Sequence, residues 1–241
     1  MARKSALSDI SQRGVASATR ASAVYEQLRN DIAHGALEPG AKLKVEAMCA
    51  RYGVGASPLR EALSRLSAEG LVDRTDLRGF SVAPLHWEEL PILTRNRVQL
   101  EGLALRESIA RLDSAMEDQL VLLVHRLSRT PRSLSVDSYV TNPAWETLHR
   151  DFHRTLLSRC PSRWLRGFCE NLADESYRFR QVSAGKAFSQ RDEHAEHVAV
   201  FTAVIEGRAD DAVRALESHY VRTASVVANQ ARSGLKAEPG A

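Results

Sequence analysis

The chain has 241 residues, of which 44% are hydrophobic and 26% are charged. This length allows one large domain or two modest ones, and this composition excludes a disordered chain because it supplies enough apolar surface for a core. No stretch approaches about 18 uncharged apolar residues, so the sequence predicts a cytoplasmic protein with no membrane partner. The net charge is +3, and the whole positive excess falls within residues 1–86.

The three cysteines, Cys49, Cys160 and Cys169, show no C-x-x-C spacing and lie inside apolar periodic stretches. An odd number with this spacing argues against a disulfide framework and against a thiolate zinc site. The cysteines are therefore predicted to be packing residues.

Residues 1–20 show no hydrophobic periodicity and are predicted to form a flexible tail. The stretch VYEQLRNDIAHG then repeats apolar residues at helical spacing, and VEAMCARYG does the same over a shorter length that stops at Gly53. A turn at Glu38-Pro39-Gly40 separates these two predicted helices.

A third helix is predicted over PLREALSRLSAEG, with Ser57 as its N-cap and Pro58 as its first residue. Its apolar positions share one side, namely Leu59, Ala62, Leu63 and Leu66. Two short extended stretches, 71–74 and 79–82, follow and predict a β-hairpin. Three helices followed by a hairpin are typical of a winged helix-turn-helix, which is predicted here over residues 21–84.

The polar side of the third helix carries Arg60 and Arg65. The major groove of DNA is about 12 Å wide and admits one α-helix, whose polar side must offer hydrogen-bond donors to bases and phosphates. Most exposed arginines only solvate a protein surface, and that is the alternative here. The capped helix, the short helix before it and the hairpin occur together, which favours binding to double-stranded operator DNA.

The segment GALEPGAKLKVEAMCARYGVGASPLREALSRLSAEGLVDRTDLRGFSVAPL resembles the DNA-binding domain of the GntR regulators. The pattern of that family runs from an L-x-P-G turn through G-V-S-R-T-P-V-R-E-A-L to E-G-L-V and a wing that ends R-G. The resemblance implies DNA contacts from Ser57, Arg60 and Gly79, with Arg78 beside the wing glycine. A Gly-Ala pair at 55–56 replaces the usual Ser-Arg pair, which affects the operator sequence more than DNA binding itself.

From residue 88 to residue 231 the hydrophobic period is helical. Candidate helices cover 88–111, 114–129, 138–159, 162–182, 189–207 and 209–231. Such helices bury their apolar stripes in an antiparallel bundle, and residues 232–241 are predicted to be a second flexible tail. The predicted fold class is mainly α, with an N-terminal winged helix-turn-helix and a C-terminal all-α antiparallel bundle that pairs two copies into a homodimer.

His149 and His153 lie four residues apart in WETLHRDFHRTLL, so both imidazoles leave the same side of one helix. His197 and His219 fall on two later candidate helices. Imidazole is a good ligand for zinc or nickel, and the interior of a bundle can complete the coordination shell. A histidine pair with this spacing also arises by chance, so the spacing alone leaves metal binding and ordinary helix histidines equally open.

The helical part, over about 140 residues, resembles the FCD ligand-binding domain of the FadR subfamily of GntR regulators. The family pattern is R-x-x-x-E on the first helix, D-x-x-x-H on a middle helix and two later histidines. The matching residues here are Arg97, Glu101, His149, His153, His197 and His219. The resemblance implies a divalent metal, zinc or nickel, with His149 in place of the aspartate of the family. The site is then all-histidine, or His149 serves the effector instead, or metal binding is weak or absent.

Arg97, and Arg178 with Arg180 in ESYRFRQ, would be costly to bury without an anionic partner, and a guanidinium matches a carboxylate with two hydrogen bonds. The sequence therefore predicts an anionic effector bound by Arg97 and Arg178. The alternative is a surface or ion-paired arginine, which is strongest for Arg180; Glu101 lies one turn from Arg97 and can pair with it. The resemblance implies a small carboxylate that completes the metal shell. The W-E-x-L-H-x-x-F-H and Y-R-x-R stretches are similar to the glutarate-responsive, carbon-starvation branch, which implies a short dicarboxylate.

The sequence thus predicts a transcriptional repressor whose operator binding is controlled by a small carboxylate. A regulator that responds to metal alone, without an organic effector, is one alternative. A metallohydrolase is another, because His-x-x-x-His on a helix also occurs in zinc peptidases. Those enzymes carry a glutamate directly after the first histidine as general base, whereas Arg150 stands here, so the chain is not predicted to be an enzyme.

Overall fold

The computed structural model describes residues 20–75, 79–137, 139–184 and 191–235. The chain divides into two compact units, Met1–Leu85 and His86–Ala241, and each unit has its own hydrophobic core. Most of the two tails predicted at the chain ends lies outside the described residues. Arg20 and residues 232–235 are described and are helical, so helix extends into both segments that were predicted as tails.

In the N-terminal unit, the described residues form three helices and a three-stranded antiparallel sheet. These elements are α1 (20–33), β1 (Lys42–Leu43), α2 (Val45–Tyr52), α3 (Ala56–Ala68), β2 (Val72–Thr75) and β3 (Gly79–Val82). Strand β3 lies between the other two, and its Phe80 is opposite Leu43 of β1 and Arg74 of β2. The predicted hairpin is confirmed, whereas β1 was not predicted because two residues are too few to show alternation.

The apolar side of α3 packs into the core of this unit, as its spacing predicts. The buried residues are Leu59, Ala62, Leu63 and Leu66. The start of α3 was predicted wrongly: Gly55 is the N-cap and Ala56 is the first helical residue, so Ser57 does not cap the helix. Pro58 then takes the third position, where its missing N–H is tolerated because the first amides of a helix have no partner within the helix.

A short 3₁₀ turn, Trp87–Glu89, leads into the helices of the second unit. These are α4 (Leu90–Ile109), α5 (Ser114–Arg129), α6 (Pro143–Leu156), α7 (Arg163–Ala184), α8 (Glu193–Ile205) and α9 (Ala209–Leu235). Helix α6 begins later than the predicted residue 138 because Asn142 caps it, accepting from the backbone N–H of Ala144 at 3.1 Å. Helix α8 begins in the same way at Asp192, which accepts from Ala195 N–H at 2.9 Å.

The helices of the second unit enclose one core. Helix α4 packs against α7 and α9, α8 packs against α9, and α5 packs against α6 and α8. The largest buried apolar residues include Leu105, Leu120, Phe152, Leu156 and Leu216. Gly102 lets α4 approach α9 closely, because a Cβ atom at this position would lie 3.2 Å from Cγ1 of Val213. Within the described part of the chain, no helix is long and apolar enough to cross a bilayer.

Candidate DNA-binding surface and histidine centre

The exposed side of α3 is the candidate DNA-binding surface. Ser57 and Arg60 are both exposed there, away from the buried leucines. Arg65 lies about 140° around the helix from Arg60 and packs against α1. Its guanidinium carbon is 4.0 Å from the centre of the Tyr25 ring, and its Nη1 is 3.4 Å from the hydroxyl oxygen of Ser22. Both predicted arginines are exposed, but the guanidinium of Arg65 is held against α1.

The predicted wing comprises β2, β3 and the residues between them in the sequence. Gly79 is exposed and begins β3 with a φ of 92°, a backbone conformation that L side chains rarely adopt, so this position favours glycine strongly. Arg78, which was predicted beside it, lies outside the described residues. A DNA contact by Arg78 therefore stays a prediction.

The four histidines predicted as metal ligands lie together inside the second unit. His149 and His153 come from α6, His197 from α8 and His219 from α9, and each offers one ring nitrogen. These four atoms all lie within 4.8 Å of one another. The Nε2 atoms of His149 and His153 are 3.2 Å apart. The tertiary structure thus brings residues from three helices to a single point.

Burial keeps these imidazoles neutral. It lowers the pKa of His149, His153 and His197 well below the usual value and also lowers the pKa of His219, since little solvent is available to stabilise the charged form. Neighbouring histidines lower the pKa of the first three further, and the charge of Arg180 does so for His149 and His153. Neutral imidazole is the form that binds a metal ion.

The donor set fits a zinc or nickel ion. His197 Nε2 is buried and has no hydrogen-bond partner within the described residues, an arrangement that costs free energy unless a ligand satisfies the nitrogen. Zinc prefers four nitrogen or sulfur ligands in protein sites, and imidazole also suits nickel. Because His149 stands where the FCD pattern has aspartate, the four candidate ligands include no carboxylate.

Three arginine–glutamate pairs border the cluster. Arg97 Nε donates to Glu101 at 2.7 Å, Arg180 donates two hydrogen bonds to Glu146, and Arg191 donates two to Glu196. All six side chains are largely buried. Each arginine charge is therefore already balanced by a carboxylate.

Four of the residues beside the cluster were not identified from the sequence, namely Glu146, Arg191, Glu196 and Tyr220. Glu196 and Tyr220 each stand next to a predicted ligand along the chain, but the next residue on a helix points about 100° away. Their position next to a histidine in the sequence therefore did not indicate that they lie beside the cluster. Each of the two contacts a histidine on another helix or another turn: Glu196 contacts His219, and Tyr220 contacts His153.

The arginines considered for the effector lie in different surroundings. Arg97 is close enough to His153 for its charge to lower the pKa of that histidine further. Arg178 is buried and pairs with Glu175, one turn earlier on α7, at 3.0 Å. Arg180 is buried near His149 and is ion-paired. All three arginines are thus ion-paired, as the alternative interpretation of the sequence expected. Effector binding by Arg97 and Arg178 stays a prediction.

The position that holds the general base in zinc peptidases is occupied differently here. Arg150, directly after His149, donates to Asp174 of α7 at 2.5 Å. A permanently charged arginine that is tied to a neighbouring helix cannot accept a proton from water. The histidine pair on α6 therefore lacks the partner that hydrolysis requires.

Comparison with known proteins connects both units to one class of regulator. Residues 20–82 match the family described as bacterial regulatory proteins, gntR family, and residues 93–222 match the FCD domain. The chain is 34% identical over 205 residues to the HTH-type transcriptional regulator BphR of Paraburkholderia xenovorans, covering 85% of this chain and 84% of BphR. It is 30% identical over 216 residues to the HTH-type transcriptional repressor GlaR of Escherichia coli, covering 87% of this chain and 96% of GlaR.

Solved structures show the same fold. The Escherichia coli protein McbR/YncC is similar with a TM-score of 0.72 and 19% identity, covering 88% of this chain and 98% of that protein. A GntR family member from Pseudomonas syringae pv. tomato is similar with a TM-score of 0.52 and 26% identity, covering 90% and 88% of the two chains. The predicted fold class, a winged helix-turn-helix followed by a helical bundle, is confirmed.

Proposed function

Because this chain belongs to the gntR family of bacterial regulatory proteins and carries an FCD domain, it is a DNA-binding transcriptional regulator and not an enzyme, and we propose that it is a repressor controlled by a small carboxylate. In this proposal a homodimer presents two α3 helices to a palindromic operator. The carboxylate binds beside a zinc or nickel ion held by the four histidines. The observation that carries the proposal is the cluster of four imidazoles, three of them buried and that of His149 half-buried, in which His197 Nε2 has no partner within the described residues.

The action as a repressor is supported by the relative GlaR, whose name describes a transcriptional repressor. A ligand changes operator binding only through its difference in affinity between the DNA-bound and released arrangements. The histidines stand on α6, α8 and α9, so a ligand at the cluster touches three helices at once. A shift among these helices is the route by which the effector alters the spacing of the two α3 helices.

Charge favours a dicarboxylate over a monocarboxylate. A divalent ion held by four neutral imidazoles carries two uncompensated positive charges, because each arginine of the surrounding pairs is already balanced by a glutamate. An effector with two negative charges neutralises this excess. A short dicarboxylate such as glutarate is therefore the proposed effector.

Arg97 is the proposed anchor for the second carboxylate. Its Nε binds Glu101, whereas its two terminal nitrogens make no hydrogen bond to the described residues. A guanidinium with two available N–H groups holds a carboxylate with defined geometry. Arg178 was predicted for the same role, and its contact with Glu175 must then loosen when effector binds.

Binding of labelled promoter DNA to the full-length protein tests this function. The protein is stripped of metal, reloaded with zinc or nickel, and titrated with glutarate or with pentanoate, which has the same chain length but one carboxylate. We expect glutarate to release DNA from the metal-loaded protein at much lower concentration than pentanoate, and His197→Gln to abolish the response. Substitution of the exposed His125 on α5, His125→Gln, is the matched control and should leave the response intact. An equal response in the metal-free protein would overturn the proposed site.

A regulator that responds to metal alone is the second candidate. One observation favours it: the cluster offers four protein nitrogens, the number that a structural zinc site uses, so the coordination shell can close without an outside ligand. The metal arm of the same titration separates the two functions. Release of DNA by zinc or nickel alone, with no response to either acid, supports the metal sensor and excludes the carboxylate-responsive repressor.

The homodimer is proposed to form through apolar side chains that the helical unit leaves exposed. Trp164 and Phe168 lie one turn apart on α7 and are 67% and 58% exposed. An exposed apolar pair of this size is suited to packing against a second copy of the same helix. Light scattering on the double variant Trp164→Ala, Phe168→Ala should show a monomer where the parent protein shows a dimer. A dimer that survives both changes would exclude this contact surface.

A further inference from the structure

We propose that two carboxylates outside the ligand set, Glu196 and Glu101, fix the tautomers of His219 and His153, so that both histidines present Nε2 to the metal. The assignment rests on the metal site proposed above, but the tautomers themselves are a property of the metal-free protein. Glu196 acts on His219 directly, and Glu101 acts on His153 through Tyr220. Both glutamates are positioning residues and neither is a metal ligand.

Glu196 contacts the Nδ1 atom of the His219 ring. Its Oε2 is 2.9 Å from His219 Nδ1, and the carboxylate also accepts two hydrogen bonds from Arg191. A glutamate that pairs with arginine is ionised and can only accept, so the hydrogen between Glu196 and His219 must belong to Nδ1. The remaining nitrogen, Nε2, then carries the lone pair.

One further contact must agree with this assignment. Arg191 Nη2 lies 3.1 Å from His219 Nδ1, and an arginine can only donate. The same Nη2 already donates to the backbone oxygen of His219 at 2.9 Å and to Glu196. Its two hydrogens are therefore used, and Nδ1 stays the donor to Glu196.

A second series of hydrogen bonds, from Arg97 through Glu101 and Tyr220, fixes the tautomer of His153. The Tyr220 hydroxyl donates to Glu101 Oε2 at 2.5 Å, and it lies 3.1 Å from His153 Nδ1. Because the single hydroxyl hydrogen is taken by Glu101, the tyrosine oxygen must accept from His153 Nδ1–H. Arg97 donates to the other oxygen of Glu101, and its guanidinium carbon lies 3.9 Å from the centre of the Tyr220 ring. These two contacts hold Glu101 and Tyr220 in place.

Both series of contacts start at an arginine and end at the Nδ1 atom of a histidine, but Glu196 contacts His219 directly, whereas Tyr220 stands between Glu101 and His153. A hydrogen bond from the far ring nitrogen to a carboxylate orients a metal-binding histidine and makes its ligating nitrogen more basic. The four candidate ligands themselves contribute no negative charge, since His149 occupies the position of the family aspartate. The structure thus places Glu196 one hydrogen bond behind His219, and Glu101 two hydrogen bonds behind His153.

The tautomers can be read directly by long-range correlation of ring hydrogens and nitrogens in metal-free, full-length protein labelled with ¹⁵N-histidine. The NMR signals of the two rings are identified by their loss in the single variants His153→Gln and His219→Gln. We expect both rings in the Nδ1–H form. Glu196→Ala should shift His219 toward the Nε2–H form and leave His153 unchanged, and Tyr220→Phe should do the reverse. Detection of His219 in the Nε2–H form in the parent protein would overturn the proposal.

Variants that retain the acceptor separate positioning from general damage. Glu196→Gln keeps an oxygen that can accept from Nδ1–H and should keep the tautomer of His219. Glu193→Ala is the matched control, because Glu193 lies one turn earlier on α8, binds Arg132 at 2.8 Å and is 3.9 Å from Arg191, but makes no hydrogen bond to His153 or His219. This control should leave both tautomers unchanged. A change in His219 with Glu193→Ala equal to that with Glu196→Ala would contradict the specific role.

Zinc competition with a chromophoric chelator tests the consequence for the metal. Glu196→Ala should bind zinc about 10- to 100-fold more weakly, the range usual for loss of such a partner, and Glu193→Ala should match the parent protein. If the parent protein binds no zinc while both tautomers are as assigned, the proposed metal function fails and the assignment of hydrogens stands. If zinc binds and Glu196→Ala leaves its affinity unchanged, the positioning role fails and the metal site stands.

Discussion

His149 stacks on Trp145, one turn earlier on α6, with ring centres 4.7 Å apart and ring planes 16° from parallel. The stack holds the imidazole at the one position where this chain departs from the FCD pattern. His149 Nε2 then lies 3.2 Å from His153 Nε2, which places it among the candidate ligands. A histidine held in this way contributes a ligand but no negative charge, and the first prediction follows from that difference.

Restoring the aspartate of the family should strengthen metal binding. In His149→Asp, one negative charge returns to a site where ion and ligands together are dipositive. Two unit charges about 4 Å apart interact by roughly 4 kcal/mol at an effective dielectric constant of 20. Even a third of that energy is about a tenfold gain in affinity. Zinc competition measures it, and equal or weaker binding by His149→Asp would show that residue 149 is not a ligand.

The two arginines of α3 should differ in their effect on DNA. Arg60→Ala removes an exposed hydrogen-bond donor and should weaken operator binding by about 1–3 kcal/mol. If the contact is to phosphate, the slope of the logarithm of affinity against the logarithm of salt concentration should fall by about one. Arg65→Ala should weaken binding less, since Arg65 packs on Tyr25, and should cost about 0.5–1 kcal/mol of stability.

Fluorescence anisotropy over a series of salt concentrations, with thermal unfolding in parallel, measures both effects. Arg106→Ala is the charge-matched control, because Arg106 is exposed in the helical unit and pairs with Asp210. Operator binding that survives the combined loss of Arg60 and Arg65 would contradict the assignment of α3 as the recognition helix.

Acid should destabilise the metal-free protein through the histidines. Burial lowers the pKa of all four in the folded state, whereas the unfolded chain has the usual value of about 6.5. Above that pH neither state binds the protons; below it the unfolded state binds them first, so the free energy of unfolding falls as pH falls. Each histidine contributes at most about 1.4 kcal/mol per pH unit.

Denaturant unfolding between about pH 8 and pH 5, the range in which histidine charge changes, checks this dependence. His197→Gln should reduce the slope by about one proton, that is about 1.4 kcal/mol per pH unit. His125→Gln, at an exposed site, should leave the slope unchanged. A slope that His197→Gln does not alter would mean that the pKa of this residue is the same in the folded and unfolded protein.

The buried pair between Arg180 and Glu146 should be costly to break from one side. Arg180→Met leaves the glutamate buried without its partner, and losses of about 3–5 kcal/mol are usual in such cases. The double variant Arg180→Met, Glu146→Leu should recover part of this loss. Arg154 and Glu170 join the same two helices at the surface, and breaking that pair should cost at most about 1 kcal/mol.

Urea unfolding of the four proteins in each cycle gives the coupling energy of each pair. A coupling at the buried pair no larger than that of the surface pair would show that the Arg180 and Glu146 charges are not held together in solution.

Much of the local structure follows from spacing along the chain. The buried side of α3 was predicted from leucines three and four residues apart. The end of α2 was predicted at Gly53 because glycine commonly ends a helix. The pairing of Arg97 with Glu101 was available in the same way, since the two lie one turn apart. Errors occurred at helix ends: Ser57 is not the cap of α3, and α6 begins at Pro143, because capping depends on which backbone conformation the preceding residue adopts.

The sequence by itself determined what a single helix can express: its buried face, the pairing of His149 with His153, and the resemblance that marked His197 and His219. Only the tertiary structure decided which side chains meet across helices. Glu146 and Arg180 are separated by 34 residues, and Tyr220 reaches His153 across 67. Helical periodicity fixes directions about one axis, whereas contacts between helices depend on how the core sets their spacing and rotation, as at Gly102 and Val213.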